Sequence, residues 1–225
     1  MKKIETVWCE LLFQVLEKQQ THFQQQQLAK KLELSLSTVN HALKNLRQMG
    51  AVQIGGRGGQ VIDYEKILMH WANYRRLSQD IVWRRKLSGP VREIEGLLPP
   101  GSILGAYSAV RHWFKEAPAD YSTVYVYHRE PQLLKQRFVG QNGRETELVC
   151  LKPAPKIPLR QETTTLAHTF VDLWSLTDWM AKDFIKRIKE EIEKTLATFP
   201  GCPVAPTLIL ADPLLAIKNF GVFKN

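Results

Sequence analysis

The segment LAKKLELSLSTVNHALKNLRQMGAV, residues 28–52, decides the fold of the first third of the chain. Leu28 and Leu32 stand one helical turn apart, so residues 25–32 read as a short helix. Ser35 is a good N-cap for a second helix, because its hydroxyl can accept one of the amides that a first turn leaves unpaired. Residues 36–49 then run without Gly or Pro until Gly50 stops them. Within that helix Val39, Ala42, Leu43, Leu46 and Met49 form an inward stripe, while Ser37, Thr38, Asn40, His41, Lys44, Arg47 and Gln48 point outward. The outward face holds donors, acceptors and two positive charges but no acid. A face that meets only water normally mixes both signs.

Upstream, Ile4, Trp8, Leu11, Leu12, Val15 and Leu16 recur at helical spacing, so residues 4–19 read as an amphipathic helix that ends in a Gln-rich stretch. Downstream, residues 51–54 alternate like a strand, Gly55-Gly56-Arg57-Gly58-Gly59 reads as a turn, and residues 60–63 alternate again. This predicts a β-hairpin whose flexible, nearly bare tip carries Arg57. A further helix is expected over residues 64–77, with Trp71 and Tyr74 set against either a second domain or a partner chain. Arg75, Arg76, Arg84, Arg85 and Lys86 read as a solvated face or, alternatively, a patch that tracks a phosphate backbone. Charge is uneven: the chain is +9 overall, and residues 1–86 hold 14 basic against 7 acidic side chains, whereas residues 87–225 hold 17 against 15. A localised basic excess suits a polyanion such as nucleic acid, whose counterions are released when Lys and Arg replace them.

The quoted segment and its flanks, over roughly residues 5–65, resemble the winged helix-turn-helix domain of many bacterial and archaeal transcription regulators. The resemblance implies double-stranded DNA as partner, with the helix over 36–49 in the major groove and the hairpin on adjoining backbone or minor groove. Under it, Ser37, Thr38, Asn40 and His41 reach base edges, Asn40 being able to make a bidentate contact to adenine, while Lys44 and Arg47 hold phosphates. Arg57 would enter a narrow minor groove or touch its phosphates.

From about residue 80 the pattern changes to short strands and helices, and a small central sheet is expected. Strands are read over 81–87, 102–105, 122–128 and 145–151, and helices over 90–98, 106–114, 133–138 and within 170–196. A strand ending in Gly105, Ala106-Tyr107-Ser108 opening a helix, and a hydrophobic strand about 15 residues later resemble the start of the nucleotidyltransferase fold. The nearest form is the nucleotidyltransferase-like domain of abortive-infection type IV antitoxins, which also follows a winged helix and lacks the chemistry. Active members carry two magnesium-binding acids on that strand, and here Thr123 and Tyr125 stand in their place, which two-metal phosphoryl transfer does not tolerate. Asp120, Glu145 and Glu147 leave open a rearranged site.

Other chemistries find no template. The six histidines never pair at i+3 or i+4, and there is neither an HExxH nor a Gly-x-Ser-x-Gly elbow. Ser108 and His112 share a helix face without an oxyanion turn. Asp172 and Asp178 are read as helix caps. Cys9, Cys150 and Cys202 are too far apart and unpatterned for a disulfide scaffold or a cysteine-ligated zinc site, and Cys150 reads as a buried apolar residue. Trp113, Phe114, Tyr125, Tyr127, Trp174 and Trp179 read as core or interface, or as a pocket lining with Arg111 and His112 supplying its polar contacts. The apolar tail over 208–223 is expected to complete the core or swap between protomers. With 44% apolar and 24% charged residues, no stretch near 20 apolar residues, and acids early in the start, a cytoplasmic globular protein is expected.

The expectation is thus an α+β chain: a winged helix of three helices and a hairpin over 1–63, a linker helix over 64–79, and a small α/β nucleotidyltransferase-like domain over 80–225. Its expected role is a sequence-specific DNA-binding transcription regulator, dimeric on a two-fold site, with no cofactor, metal or catalysis, whose second domain senses a small-molecule effector or meets a protein partner. The rivals are an antitoxin that represses its own expression and neutralises a toxin, and a nucleotidyltransferase with displaced acids.

Overall fold

The structure is a computed structural model and describes residues 1–56 and 58–199. Arg57, Cys202 and the tail over 208–223 lie outside the described residues.

The first unit runs α1 (Lys3–Lys18), β1 (His22–Phe23), α2 (Gln25–Leu32), α3 (Leu36–Gln48), β2 (Val52–Gly55) and β3 (Gly58–Val61). The strands form an antiparallel sheet in the order β1-β3-β2. β1 is a strand that no sequence pattern announced. Two residues, His22 opposite Gln60 and Phe23 opposite Gly59, are too few for an alternation to register. The expected glycine turn is shorter than read: Gly55 pairs with Gly58, so the glycines at 55, 58 and 59 are strand residues. The reason is Phe23. A Cβ on Gly59 would fall 2.4 Å from its ring, and one on Gly58 would fall 2.6 Å from its carbonyl oxygen. Gly58 also has φ +126°, where a side chain is strained.

α4 (Tyr64–Tyr74) begins on the Asp63 cap, whose Oδ1 accepts from the Lys66 amide at 3.0 Å. A 3-10 turn (Leu77–Asp80) leads into a six-stranded mixed sheet ordered β4-β7-β6-β5-β9-β8. Its strands are β4 (Ile81–Leu87), β5 (Ile103–Gly105), β6 (Thr123–Tyr127), β7 (Thr146–Leu151), β8 (Leu159–Arg160) and β9 (Thr163–Thr164). β6 and β7 run parallel, while β5 and β4 pair antiparallel with β6 and β7 respectively. Alternation divides the faces. Val124 and Val126 meet Leu148, Cys150, Ile94 of α5 (Val91–Gly96) and Leu134 of α7 (Pro131–Arg137). Tyr125, Tyr127, Val149 and Leu151 face the larger cluster, with α6 (Ala106–Phe114), α8 (Leu166–Trp174) and α9 (Ala181–Ala197).

That larger cluster is continuous with the core of the first unit. α1 packs on α3 and α4 on one side and on α8 and α9 on the other, so even Glu5 and Glu10 of its polar face are buried. Glu10 is neutralised by Lys31 Nζ at 2.6 Å. Trp71 is fully buried against His168, with ring centroids 5.6 Å apart, and donates to Glu5 Oε2 at 3.0 Å.

The reading of the basic cluster after α4 is corrected at Arg75, which is 2% exposed. Its Nε donates to Asp172 Oδ1 at 3.0 Å, Nη1 to Asp80 Oδ2 at 2.5 Å, and Nη2 to the Tyr127 hydroxyl at 3.0 Å, with Glu5 Oε2 at 3.5 Å. The amino group of Met1 also pairs with Asp80. Asp172 and Asp178 therefore do not cap helices: Asp172 is buried inside α8 as the Arg75 partner, and Asp178 accepts from the Tyr107 hydroxyl at 3.0 Å. Gly105 also has a packing reason, since a Cβ there would meet the Tyr127 ring at 2.9 Å.

Candidate nucleic-acid interface

Ser35 starts α3 as expected: its Oγ accepts from the Thr38 amide at 3.1 Å, and the Thr38 hydroxyl adds a 2.9 Å contact. The helix is held from behind by Val39, Ala42, Leu43 and Leu46, all buried, and by Trp8 Nε1, which donates to the Ala42 carbonyl at 2.8 Å. Met49 is half-buried at the C-cap. With the apolar stripe so engaged, Ser37, Asn40, His41, Lys44 and Arg47 stand exposed on the opposite face, and Thr38 is half-buried by its contact with the cap. These six of the seven expected site residues share one surface. The seventh, Arg57, falls outside the described residues between Gly56 and Gly58.

Neither α2 nor α3 contains an acid. Glu33, in the turn between them, is paired with Lys156 Nζ at 3.0 Å. Two open clefts flank the hairpin. One, of about 410 Å³, lies between Gln24, Gln25 and Gln26, Leu36 and the hairpin glycines; the other, of about 570 Å³, is lined by His22, Gln24, Gln27, Gln53 and Gln60. The glutamines were missed at the level of sequence because a Gln run resembles low complexity. The signal that finds them is position: Gln24 is the N-cap of α2 and makes no side-chain cap bond, so the first-turn amides beside the hairpin have no side-chain acceptor from it.

In the second unit the positions expected of metal-binding acids are Thr123, half-buried, and Tyr125, buried, both on β6. Burial, with Asp178, Glu147 and Asp172 nearby, raises the Tyr125 pKa, so the hydroxyl keeps its proton. Glu145 accepts from the Gly89 amide at 2.9 Å, and Asp120 lies in a cleft with Arg92 and Arg111. Among the described residues no group of three or more His, Cys, Asp or Glu is placed to hold a metal ion. Arg111, expected as a pocket contact, is committed to Glu95 and to the Tyr121 hydroxyl. Of the six aromatic candidates, Tyr125 and Tyr127 are buried, Trp113 and Phe114 are half-buried, and Trp174 and Trp179 are exposed.

Three helices with a capped third, backed by a three-stranded sheet with a hairpin wing, define a helix-turn-helix region. Residues 10–60 match a family model described as an HTH domain, which supports a DNA-binding regulator. The match ends in β3, so it covers α3 and the hairpin and leaves the sheet unit unaddressed. No curated protein and no solved structure matches the chain. Among the described residues no helix is long and apolar enough to cross a membrane.

Proposed function

We propose that the chain is a sequence-specific transcription regulator that binds operator DNA as a homodimer and carries a non-catalytic, nucleotidyltransferase-like second unit for sensing. The observation that carries this reading is the outward face of α3, which is open and free of acid while most of α1 is buried. A helix 13 residues long is about 20 Å, enough to lie along a major groove roughly 12 Å wide with its first turns at base edges. Ser37, Thr38, Asn40 and His41 occupy those turns. Lys44 and Arg47, one and two turns further, reach the flanking phosphates. The open α2 amides beside Gln24 add a place for a phosphate oxygen.

Thr123 and Tyr125 cannot ligate two divalent cations, which supports a sensing rather than a transferase role for the second unit. A toxin-neutralising reading is favoured by one feature, Trp179 at 73% exposure on the second unit. Co-purification with the product of an adjacent reading frame would select it.

The test begins with selection of bound genomic fragments, followed by fluorescence anisotropy on the selected site and a scrambled duplex. Lys44→Ala and Arg47→Ala should weaken binding to both duplexes and lower the salt slope by about one phosphate contact each. Asn40→Ala should narrow the gap between the two duplexes by about 1–3 kcal/mol. Unchanged affinity in all three variants overturns the docking.

A further inference from the structure

A cleft of about 610 Å³ lies where α4 ends, between the 3-10 turn, β6 and the loop that follows α8. Its size is that of a metabolite site, and it sits at a junction between structural units, where such sites concentrate. Arg75 forms part of its floor but has nothing left to offer, since all three of its guanidinium nitrogens are held within the protein.

Two other charges line the same cleft, Arg76 and Asp178, and neither forms an ion pair with the other or with any described residue. Arg76 Nη1 is pinned by the carbonyls of Asn73 at 2.8 Å and Arg75 at 2.9 Å, which fixes the guanidinium at the end of α4 with Nε and Nη2 open. Asp178 uses Oδ2 for the Tyr107 hydroxyl and leaves Oδ1 open. The Tyr125 hydroxyl, protonated and without a partner among the described residues, is a further donor. Leu77, Ile81, Leu176 and Trp174 supply the apolar part of the lining. Trp174 is 39% exposed, its ring stacked on Phe170 at 5.8 Å and its Nε1 donating to Asn73 Oδ1 at 3.3 Å.

A simple anion would gain Arg76 and be repelled by Asp178, and a simple cation would meet the reverse. A ligand carrying both charges satisfies both. We propose that this cleft binds a zwitterion with a large apolar body, an α-amino acid or short peptide, its carboxylate on the Arg76 fork, its ammonium on Asp178 and its side chain against Trp174. A guanidinium already fixed in place suits a two-point carboxylate contact. The inference rests on the reading of the second unit as a sensor, and it names the sensed class. Its site touches α4, the helix that follows the wing after two residues.

The experiment is isothermal titration of the full chain with L-tryptophan, L-phenylalanine, L-leucine, L-methionine and glycyl-tryptophan, which separates free amino acid from peptide. Tryptamine and indole-3-propionate, each lacking one charge, serve as controls. At least one zwitterion should bind, and its singly charged analogue should bind roughly tenfold or more weakly, the loss expected for one charged hydrogen bond. Arg76→Gln should abolish the advantage of tryptophan over tryptamine, and Asp178→Asn its advantage over indole-3-propionate, with unchanged melting curves for both surface variants. No binding by any zwitterion, equal binding of the single-charge analogues, or unaltered affinity in both variants overturns the assignment. Operator anisotropy is read separately with the bound zwitterion. Failure of the titration leaves DNA binding by α3 standing, whereas ligand binding without any change in operator affinity keeps the cleft and removes the sensing reading.

Discussion

At Arg75 a positive charge lies almost wholly out of water and is surrounded by Asp172, Asp80, Glu5 and the Tyr127 hydroxyl, which itself donates to Asp172 at 2.5 Å. Burying ions costs several kcal/mol each, and here mutual attraction and filled hydrogen bonds offset it. Removing the cation alone leaves Asp172 and Glu5 without their positive partner and Asp80 with only the Met1 amino group. Arg75→Met should therefore lower the unfolding free energy by about 3–5 kcal/mol in urea denaturation, and a second change, Asp172→Leu, should restore part of the loss. Beside this group His168 is fully buried between Trp71 and Tyr127, and its pKa is pushed down to about 4. Burial is the main cause; Arg75 and the amino terminus add to it, while Asp172 and Asp80 oppose it. The folded state thus keeps the ring neutral where the unfolded state protonates it. Stability from this group is complete above the unfolded value of 6.5, falls by roughly 1.4 kcal/mol per pH unit as pH drops toward about 4, and levels off below. His168→Gln should flatten that part of the stability profile relative to the native chain, measured at fixed ionic strength. None of this was visible in the sequence, because the partners of Arg75 lie 5, 52, 70 and 97 residues away and no local pattern marks a buried guanidinium.

Single elements obeyed local signals where those signals were strong. The Ser35 cap, the Leu28–Leu32 spacing and the Gly50 stop placed α2 and α3 almost to the residue, and four of the five expected inward residues of α3 are buried, Met49 being the half-buried C-cap. The hairpin was located, but its glycines were assigned to freedom when two of them serve contact. The difference is measurable. Gly59→Ala would drive a methyl into the Phe23 ring and Ile54, and should cost about 1–3 kcal/mol. Gly56→Ala meets nothing within 4 Å and should stay within about 0.5 kcal/mol of the native chain in the same denaturation series. If both substitutions are neutral, β1 is not seated under the wing. β8 and β9 escaped notice for the reason β1 did: two-residue strands have no period. The exposed, acid-free face of α3 was legible because an absence of acid is a property of one element, whereas the cleft at the end of α4 was not, because α4, β6 and the loop after α8 supply it jointly.

Over the whole molecule, the decisive fact is that α1 joins the helix-turn-helix region and the sheet unit in one core. Its residues Val7, Leu11, Leu12 and Leu16 belong to one buried cluster with Leu43 of α3, Trp71 of α4, and Phe170 and Phe184 of the sheet unit. Polar ties run the same way. Trp8 holds the Ala42 carbonyl of α3, Glu17 Oε1 accepts the Leu166 amide at 2.9 Å at the start of α8, and Arg75 ties α4 to Asp172. Opening the helix-turn-helix region alone would expose α8 and leave the Leu166 amide without its Glu17 acceptor, so the two units should open together. Native-state hydrogen exchange checks this. The slowest amides of α1, α4 and α8 should exchange with one common free energy equal to that from denaturant unfolding, and those in the buried stripe of α3 should lie close to it. A lower value shared by α2 and α3, with α8 still protected, would mean that α3 moves on a hinge. Under the common value and the homodimer proposed above, an amino acid bound at the end of α4 would change operator affinity by altering how one chain is set against its partner on the DNA. An effect on the affinity of a monomer for a half-site would then be absent, and a half-site duplex titrated with and without ligand would show equal binding.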